Sequence, residues 1–367
     1  MRRILAVLIV LMLTGAAYAD VDFHVEAKGA ILIDADSGRV LFEQNADERL
    51  PMASTTKIMT ALLAIEHGNL SEVIEAPAEA CGITGTSIYL TEGEKLTLEQ
   101  LLYGLMLRSG NDAATAIAIH IGGSQQEFVE MMNKRAEEMG IDAGFANPHG
   151  LDAEGHSASA RAMAELMRAA MEHEEFARIT STTKKIIPWE GNEYSRVLYN
   201  KNRLLTSYDG TLGGKTGYTG KAGRCLVFAA ERNGLTLIGC VLNCSTWFDT
   251  AERMLDYGFE NYSAVNAVGA GEIVDNIDVT GGQARTVDIR LSEALVFPLG
   301  LDEDYVIRTE INSAAAPLKA GTAAGRIYAV IDGVSVAEGE LVYAADVLEN
   351  DMENAMRRII GGWVLQF

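Results

Sequence analysis

Ser54-Thr55-Thr56-Lys57-Ile58-Met59-Thr60-Ala61-Leu62-Leu63-Ala64-Ile65 sets a serine and a lysine at the head of a long apolar run. The residues after Lys57 are strong helix formers, and Gly68 closes the run. A serine in the first turn and a lysine three residues on share one helical face and can reach each other. The helix N-terminus favours negative charge developing on the serine oxygen. Ser109-Gly110-Asn111 follows near the middle of the chain, and Lys215-Thr216-Gly217 comes later, leading into a strand. The ordered trio supplies a nucleophile, a lysine to take its proton, a polar pair to hold the reacting groups, and a cation for a carboxylate. Those are the parts of an acyl-transfer site that works without histidine or metal.

The same tetrapeptide recurs as Ser181-Thr182-Thr183-Lys184. There Pro188 and Gly191 follow closely and forbid a continuing helix. The second copy reads as an exposed segment with no catalytic role.

Outward from the trio, Gly29–Ile33 and Arg39–Glu43 flank Asp34-Ala35-Asp36-Ser37-Gly38, a hairpin signal. Apolar helical runs cover 98–107, 113–121, 128–139 and 160–171. Strands follow at 225–230 and 236–242 around Asn233-Gly234, and then a helix at 251–259. Strands at both ends with helices between argue for an α+β domain, an antiparallel sheet with packed helices. After Tyr262 short β-type runs recur at 273–279, 286–291, 305–309, 324–331 and 334–343, which predicts a small all-β sandwich or barrel.

The chain has 367 residues and a formal net charge of −21, which disfavours nucleic-acid binding. Arg2-Arg3, the apolar stretch 4–13 and Ala17-Tyr18-Ala19 read as a secretory signal peptide over 1–19. The mature protein is therefore expected to be exported, to the outer face of the cytoplasmic membrane or the periplasm. Cys81, Cys225, Cys240 and Cys244 form neither a zinc pattern nor a dense disulfide framework. Counting from the Asn-Gly turn makes Cys225 and Cys240 diagonal, so free thiols are expected. The histidines do not cluster at ligand spacing, so neither a metal nor a cofactor is predicted. Residues 349–367 read as an amphipathic helix. Met352, Ala355, Met356, Ile359, Ile360, Trp363 and Phe367 recur on one face, suited to lying on a membrane surface. The bland alternative is a helix capping the β-domain or packing on a partner.

With these motifs placed, the chain resembles the serine-type D-alanyl-D-alanine carboxypeptidases, the low-molecular-mass penicillin-binding proteins. Pro51 to Thr60 is similar to the family's nucleophile segment, Leu107 to Ala114 to its second motif, Asn147 to Asp152 to a further segment, and Gly214 to Thr219 to its third motif. The resemblance implies a transpeptidase domain of the penicillin-binding and serine β-lactamase type over 20–261, then a C-terminal β-sandwich over 262–348. It implies removal of the terminal D-alanine from peptidoglycan pentapeptide stems, with β-lactams as covalent inhibitors. Ser54 would be the nucleophile, Lys57 its base and Ser109 a proton relay. Asn111, Lys215, Thr216, Gly217 and Tyr218 would bind substrate, with the Ser54 and Tyr218 N–H groups as oxyanion hole. His149 and His156 stay outside the catalytic set.

Two departures stand out. Where several family members carry an arginine before the last helix of this domain, counting back from Tyr257-Gly258-Phe259 reaches Trp247, and Arg224 is the candidate substitute. Ser157-Ala158-Ser159-Ala160-Arg161 stands where a Ser-Thr-Ala-x-Asp pattern is frequent. The rivals are a serine β-lactamase, disfavoured because no Glu-x-x-Leu-Asn lies between the second and third motifs, and a penicillin-binding sensor or scaffold that acylates without turnover.

Overall fold

The turn at Asp34–Gly38 shows how local chemistry starts the fold. The Asp34 carboxylate accepts from the Ser37 N–H at 2.8 Å and its hydroxyl at 2.6 Å, and Gly38 takes φ +72°. Strand β1 (Ala27–Asp34) is thereby folded back on β2 (Val40–Gln44). A computed structural model describes residues 23–350. The segment 1–19 expected to be an export signal, and the segment from Asp351 onward expected to be amphipathic, lie outside them. At the other hairpin, Asn233 (φ 53°) and Gly234 (φ 79°) make the two-residue turn joining β10 (Gly223–Arg232) to β11 (Leu235–Cys244). With β9 (Thr211–Thr219) the central sheet runs β2-β1-β11-β10-β9, antiparallel throughout. Val227 pairs with Cys240, which puts Cys225 on the diagonal, and all four cysteines are free thiols.

The sheet is covered on both faces, which is why its strands read as apolar runs rather than clean alternation. Ile31, Ile33, Val227, Ala229, Ile238 and Cys240 point into one core, and Ala30, Leu32, Leu226, Phe228, Leu237 and Val241 into the other. The first core is built with α1 (Lys57–His67), α2 (Leu98–Leu107), α3 (Asn111–Gly122), α4 (Gln125–Glu138), α5 (Ala160–Met171) and α6 (Glu174–Ser181). The second is closed by the one-turn α7 (Leu204–Ser207) and by α8 (Trp247–Asn261). Each fully buried Leu or Ile contributes about 1.5–3 kcal/mol over exposure, so these faces dominate the domain's stability. Gly68 ends α1 in extended rather than left-handed conformation. A Cβ there would stand 2.3 Å from the Leu98 side chain, so close packing demands the glycine.

Ser159 caps α5 by accepting from Ala162 N–H, and Arg161 reaches Asp47 and Glu43. The departing segment 157–161 is thus a helix start tied to the first hairpin. The second Ser-Thr-Thr-Lys copy is split between elements: α6 ends at Ser181, and Lys184 opens the ribbon β7 (Lys184–Ile187) with β8 (Arg196–Tyr199). Ser181 and Lys184 are both exposed and share no helical face. Two smaller ribbons, β3 (Val73–Glu75) with β4 (Lys95–Thr97) and β5 (Ala143–Gly144) with β6 (Ser157–Ala158), brace loops beside the site.

After α8 the chain becomes all-β. β12 (Tyr262–Val268) pairs with β15 (Leu295–Gly300). β13 (Ile273–Thr280), β14 (Thr286–Leu291), β16 (Tyr305–Ile311), β17 (Ala314–Ala315), β18 (Ala323–Ile331) and β19 (Val334–Tyr343) form a sheet ordered β16-β18-β19-β14-β13-β17. Both sheets enclose one core around Phe297, Ile289, Ile327 and Leu341. Glu349 still bridges Gly282, and Asn350 N–H donates to Gly281 O. These two residues are therefore held to the β-domain, where the sequence had placed Glu349 at the start of a separate helix. Arg39, in the first hairpin, donates to Pro298 O at 2.6 Å and grips the Glu303 carboxylate, joining the catalytic half to the β-domain.

Candidate active site

Ser54 sits in a 3-10 turn (Ala53–Thr56) that feeds directly into α1. Ala53 holds φ +49°, a left-handed conformation unusual for alanine, so the turn is strained and must be held from outside. Thr56 donates to Ala53 O at 2.7 Å, and its hydroxyl lies 2.8 Å from His156 Nε2. His156 Nδ1 accepts from Ala146 N–H, so Nε2 carries the proton and donates to Thr56. Burial pushes the His156 pKa down to about 4, which keeps the ring neutral. Gly150, at φ +90°, closes the turn from the other side. A Cβ there would meet Ala53 O at 2.0 Å.

Lys57 is fully buried, and its Nζ meets three oxygens: Ser54 Oγ at 3.0 Å, Asn111 Oδ1 at 2.8 Å and His149 O at 2.5 Å. Asn111 Nδ2 donates to Thr84 O, which fixes the amide with its oxygen toward Lys57. Two of the three partners are pure acceptors and occupy two N–H bonds. The third direction faces the serine. In the neutral amine that direction holds the lone pair, ready for the Ser54 proton. Burial, reinforced by the charges of Lys215 and Lys201, pulls the Lys57 pKa well below the usual lysine range. His149 contributes its carbonyl; burial and Lys57 lower its imidazole to about 3.

Gly217 brings β9 against the nucleophile turn. A Cβ at Gly217 would stand 2.9 Å from Ser54 N and 3.0 Å from Met52 O. Beside this contact opens a cavity of about 240 Å³, lined by Ser54, Ser109, Thr216, Gly217 and Tyr218, with Thr86, Lys201 and Trp247. Ser109 has a buried Oγ with no hydrogen-bond partner. Lys215 is buried, bonds to Thr216 O at 2.8 Å, and is pushed down to about 7 by burial and by Lys201. A larger cavity of about 700 Å³ lies between the two halves, beside Asp36, Ser37, Arg168 and Glu340, and its Ser37 hydroxyl is taken up by the Asp34 turn.

Arg224 does not stand in the lining. It is exposed, donates to Ser245 O at 2.7 Å, and lies 5.9 Å over the Trp247 ring. The cation that does enter the cavity is Lys201, which sequence reasoning missed. It sits in the loop between β8 and α7, outside any motif, and only the fold brings it to Ser54. Trp247 is the first residue of α8 and forms part of the wall. Among the described residues no group of His, Cys, Asp or Glu side chains is placed to hold a metal ion.

A fold with a serine and a desolvated lysine at the head of α1 beside an edge strand defines a class of serine acyl-transfer proteins. The chain belongs to the D-alanyl-D-alanine carboxypeptidase family, whose profile matches residues 15–246. The profile of the C-terminal domain of penicillin-binding protein 5 matches 262–349. D-alanyl-D-alanine carboxypeptidase DacF of Bacillus subtilis is 34% identical over 351 residues, covering 92% of this chain and 90% of the relative. DacC of Escherichia coli is 32% identical over 349 residues, covering 89% and 85%. Penicillin-binding protein 5 from Haemophilus influenzae superposes with a TM-score of 0.77 at 27% identity, covering 89% of this chain and 99% of that one.

Proposed function

We propose that the protein is an exported serine carboxypeptidase that removes the terminal D-alanine from peptidoglycan pentapeptide stems through an acyl-enzyme on Ser54. The observation that carries this reading is the approach of Lys57 Nζ to Ser54 Oγ at 3.0 Å inside a buried, cation-rich site. Neutral Lys57 accepts the serine proton as Oγ attacks the penultimate D-alanine carbonyl carbon. The Ser54 and Tyr218 N–H groups stabilise the oxyanion, a contribution of about 3–4 kcal/mol where it has been removed elsewhere. Ser109 passes a proton to the departing amine as the amide bond breaks. Asn111 orients Lys57 and the substrate backbone. Lys215, Thr216 and Lys201 hold the terminal carboxylate, with Lys201 taking the part first given to Arg224. Water then attacks the ester, Lys57 takes its proton, and Ser54 is restored.

The stem substrate lies outside the cytoplasm, and the sequence of residues 1–19 supports export to it. The amphipathic spacing of 352–367 supports attachment to a membrane surface. No helix among the described residues is long and apolar enough to cross a bilayer. Liposome flotation of the mature protein against a version ending at Asn350 tests the tail: equal behaviour of the two sinks that assignment. The catalytic reading is tested by treating the protein with penicillin, mapping the adduct by mass, and measuring D-alanine release from a pentapeptide. The label is expected on Ser54 and absent from Ser181, with release abolished in Ser54→Ala. Acylation without release would point instead to a penicillin-binding sensor.

A further inference from the structure

Ser109 holds φ at +64°, a conformation in which serine is uncommon and strained. Its hydroxyl lines the cavity with no partner, so nothing at the Oγ end holds it there. The restraint comes from the backbone side. The segment 84–90 runs along the turn 109–112 and is stitched to it. Thr86 Oγ1 donates to Ser109 O at 2.5 Å, Asn111 N–H donates to Thr86 O at 2.7 Å, and Asn111 Nδ2 donates to Thr84 O at 2.7 Å. Asp112 is 1% exposed, and its carboxylate accepts from the Ser87 hydroxyl at 2.5 Å and from Ile88 N–H and Leu90 N–H at 3.0 Å. Beyond them Arg196, paired with buried Glu94, donates to Tyr89 O at 3.0 Å.

We propose that Thr86 is a positioning residue for Ser109: its hydroxyl, bonded to the Ser109 carbonyl, keeps Ser109 in the left-handed conformation that presents Oγ to the leaving amine. Asp112 is the clamp that keeps Thr86 in register. The inference rests on the reading of Ser109 as the proton relay. It carries a chemical signature. An amide nitrogen leaves only as it is protonated, whereas expulsion of a β-lactam nitrogen is helped by relief of ring strain. Loosening Ser109 therefore harms peptide turnover more than acylation by a β-lactam.

The test is a double-mutant cycle on the full mature chain, Thr86→Val against Ser109→Ala, with Thr86→Ser as the conservative variant. Thr86→Val is expected to lower kcat for D-alanine release roughly 5- to 10-fold, the scale of one hydrogen bond, with a smaller loss in the rate of β-lactam acylation. Thr86→Ser recovers most of the loss. In the Ser109→Ala background, Thr86→Val is expected to have almost no further effect. The same fold loss in both backgrounds, or equal losses for peptide and β-lactam, overturns the proposal. A crystal structure of Thr86→Val gives a readout independent of turnover. Ser109 is expected to leave its left-handed conformation or spread its Oγ over several rotamers, and an unchanged Ser109 overturns the proposal. If the parent protein releases no D-alanine, the carboxypeptidase reading fails by itself, and the Ser109 conformation still decides the role of Thr86.

Discussion

His156 can donate to Thr56 and accept from Ala146 only as a neutral ring. Its pKa in the fold is about 4 against 6.5 for the free side chain. Between those values the unfolded chain binds the proton and the folded one does not, so stability falls as pH drops through that window. The whole shift corresponds to roughly 3 kcal/mol. Denaturant titrations of the parent and His156→Gln from pH 7 to pH 4.5 should show the variant losing less stability on acidification. Parallel curves would remove the ring from the pH response. In the proposed mechanism the lysines act on rate. Lys57 must be neutral to take the serine proton, so kcat/KM rises with pH on the acid limb. Lys215 must be charged to hold a carboxylate, and its pKa of about 7 sets a falling alkaline limb. Lys215→Arg, charged at all accessible pH, should keep part of the activity and shift the alkaline limb upward to that of Lys201, whose pKa burial also lowers. Lys57→Arg should abolish acylation, because arginine cannot act as the base. Equal losses in the two variants would contradict this division of roles.

At the scale of elements, the site depends on how closely a strand and a loop approach the turn that carries Ser54. Gly217→Ala would press a methyl against the Ser54 amide at 2.9 Å, so β9 must withdraw. We expect acylation to fall at least tenfold, with a loss of stability of about 1–3 kcal/mol. A stopped-flow acylation rate and a thermal melt separate the two effects. The helices beside Ser54 and Ser109 were legible because motif residues coincide with helix starts, whereas Lys215 was expected to lead into a strand and instead lies inside one, Thr211–Thr219. The two strands Tyr262–Val268 and Leu295–Gly300 were not. The first has half-exposed side chains with little contrast, and the second carries Pro298, tolerated in a two-stranded ribbon but contrary to strand patterning. Lys201 and Thr86 were illegible for a different reason. Each lies in a loop whose local sequence has no signature, and each gains its proposed role only when a distant turn is brought against it. Arg224 is the opposite case: it pairs across the sheet with Tyr218, yet its side chain turns toward Ser245 and lies outside the cavity lining.

For the molecule as a whole, Arg39 ties the halves by its bonds to Pro298 and Glu303, and its guanidinium also lies 5.6 Å over the Tyr262 ring. Its side chain is 13% exposed and that of Glu303 26%, so the pair is largely shielded from water. Arg39→Ala should cost about 1–3 kcal/mol and split a single calorimetric transition into two, while D-alanine release continues. One sharp transition in the variant would show that the halves are coupled elsewhere. The cation-rich cavity also has a consequence for substrate capture. The chain carries a net charge of −21, yet none of the described residues lining the cavity is acidic. An anionic stem approaching from bulk first meets a repulsive field, and attraction begins only at the mouth of the site. Salt shortens the reach of that field from about 10 Å at 0.1 M to about 3 Å at 1 M, while a partly enclosed attraction is screened much less. Moderate ionic strength should therefore speed association with anionic stems, the reverse of ordinary electrostatic steering, and so favour an enzyme working among the fixed charges of a polyelectrolyte wall.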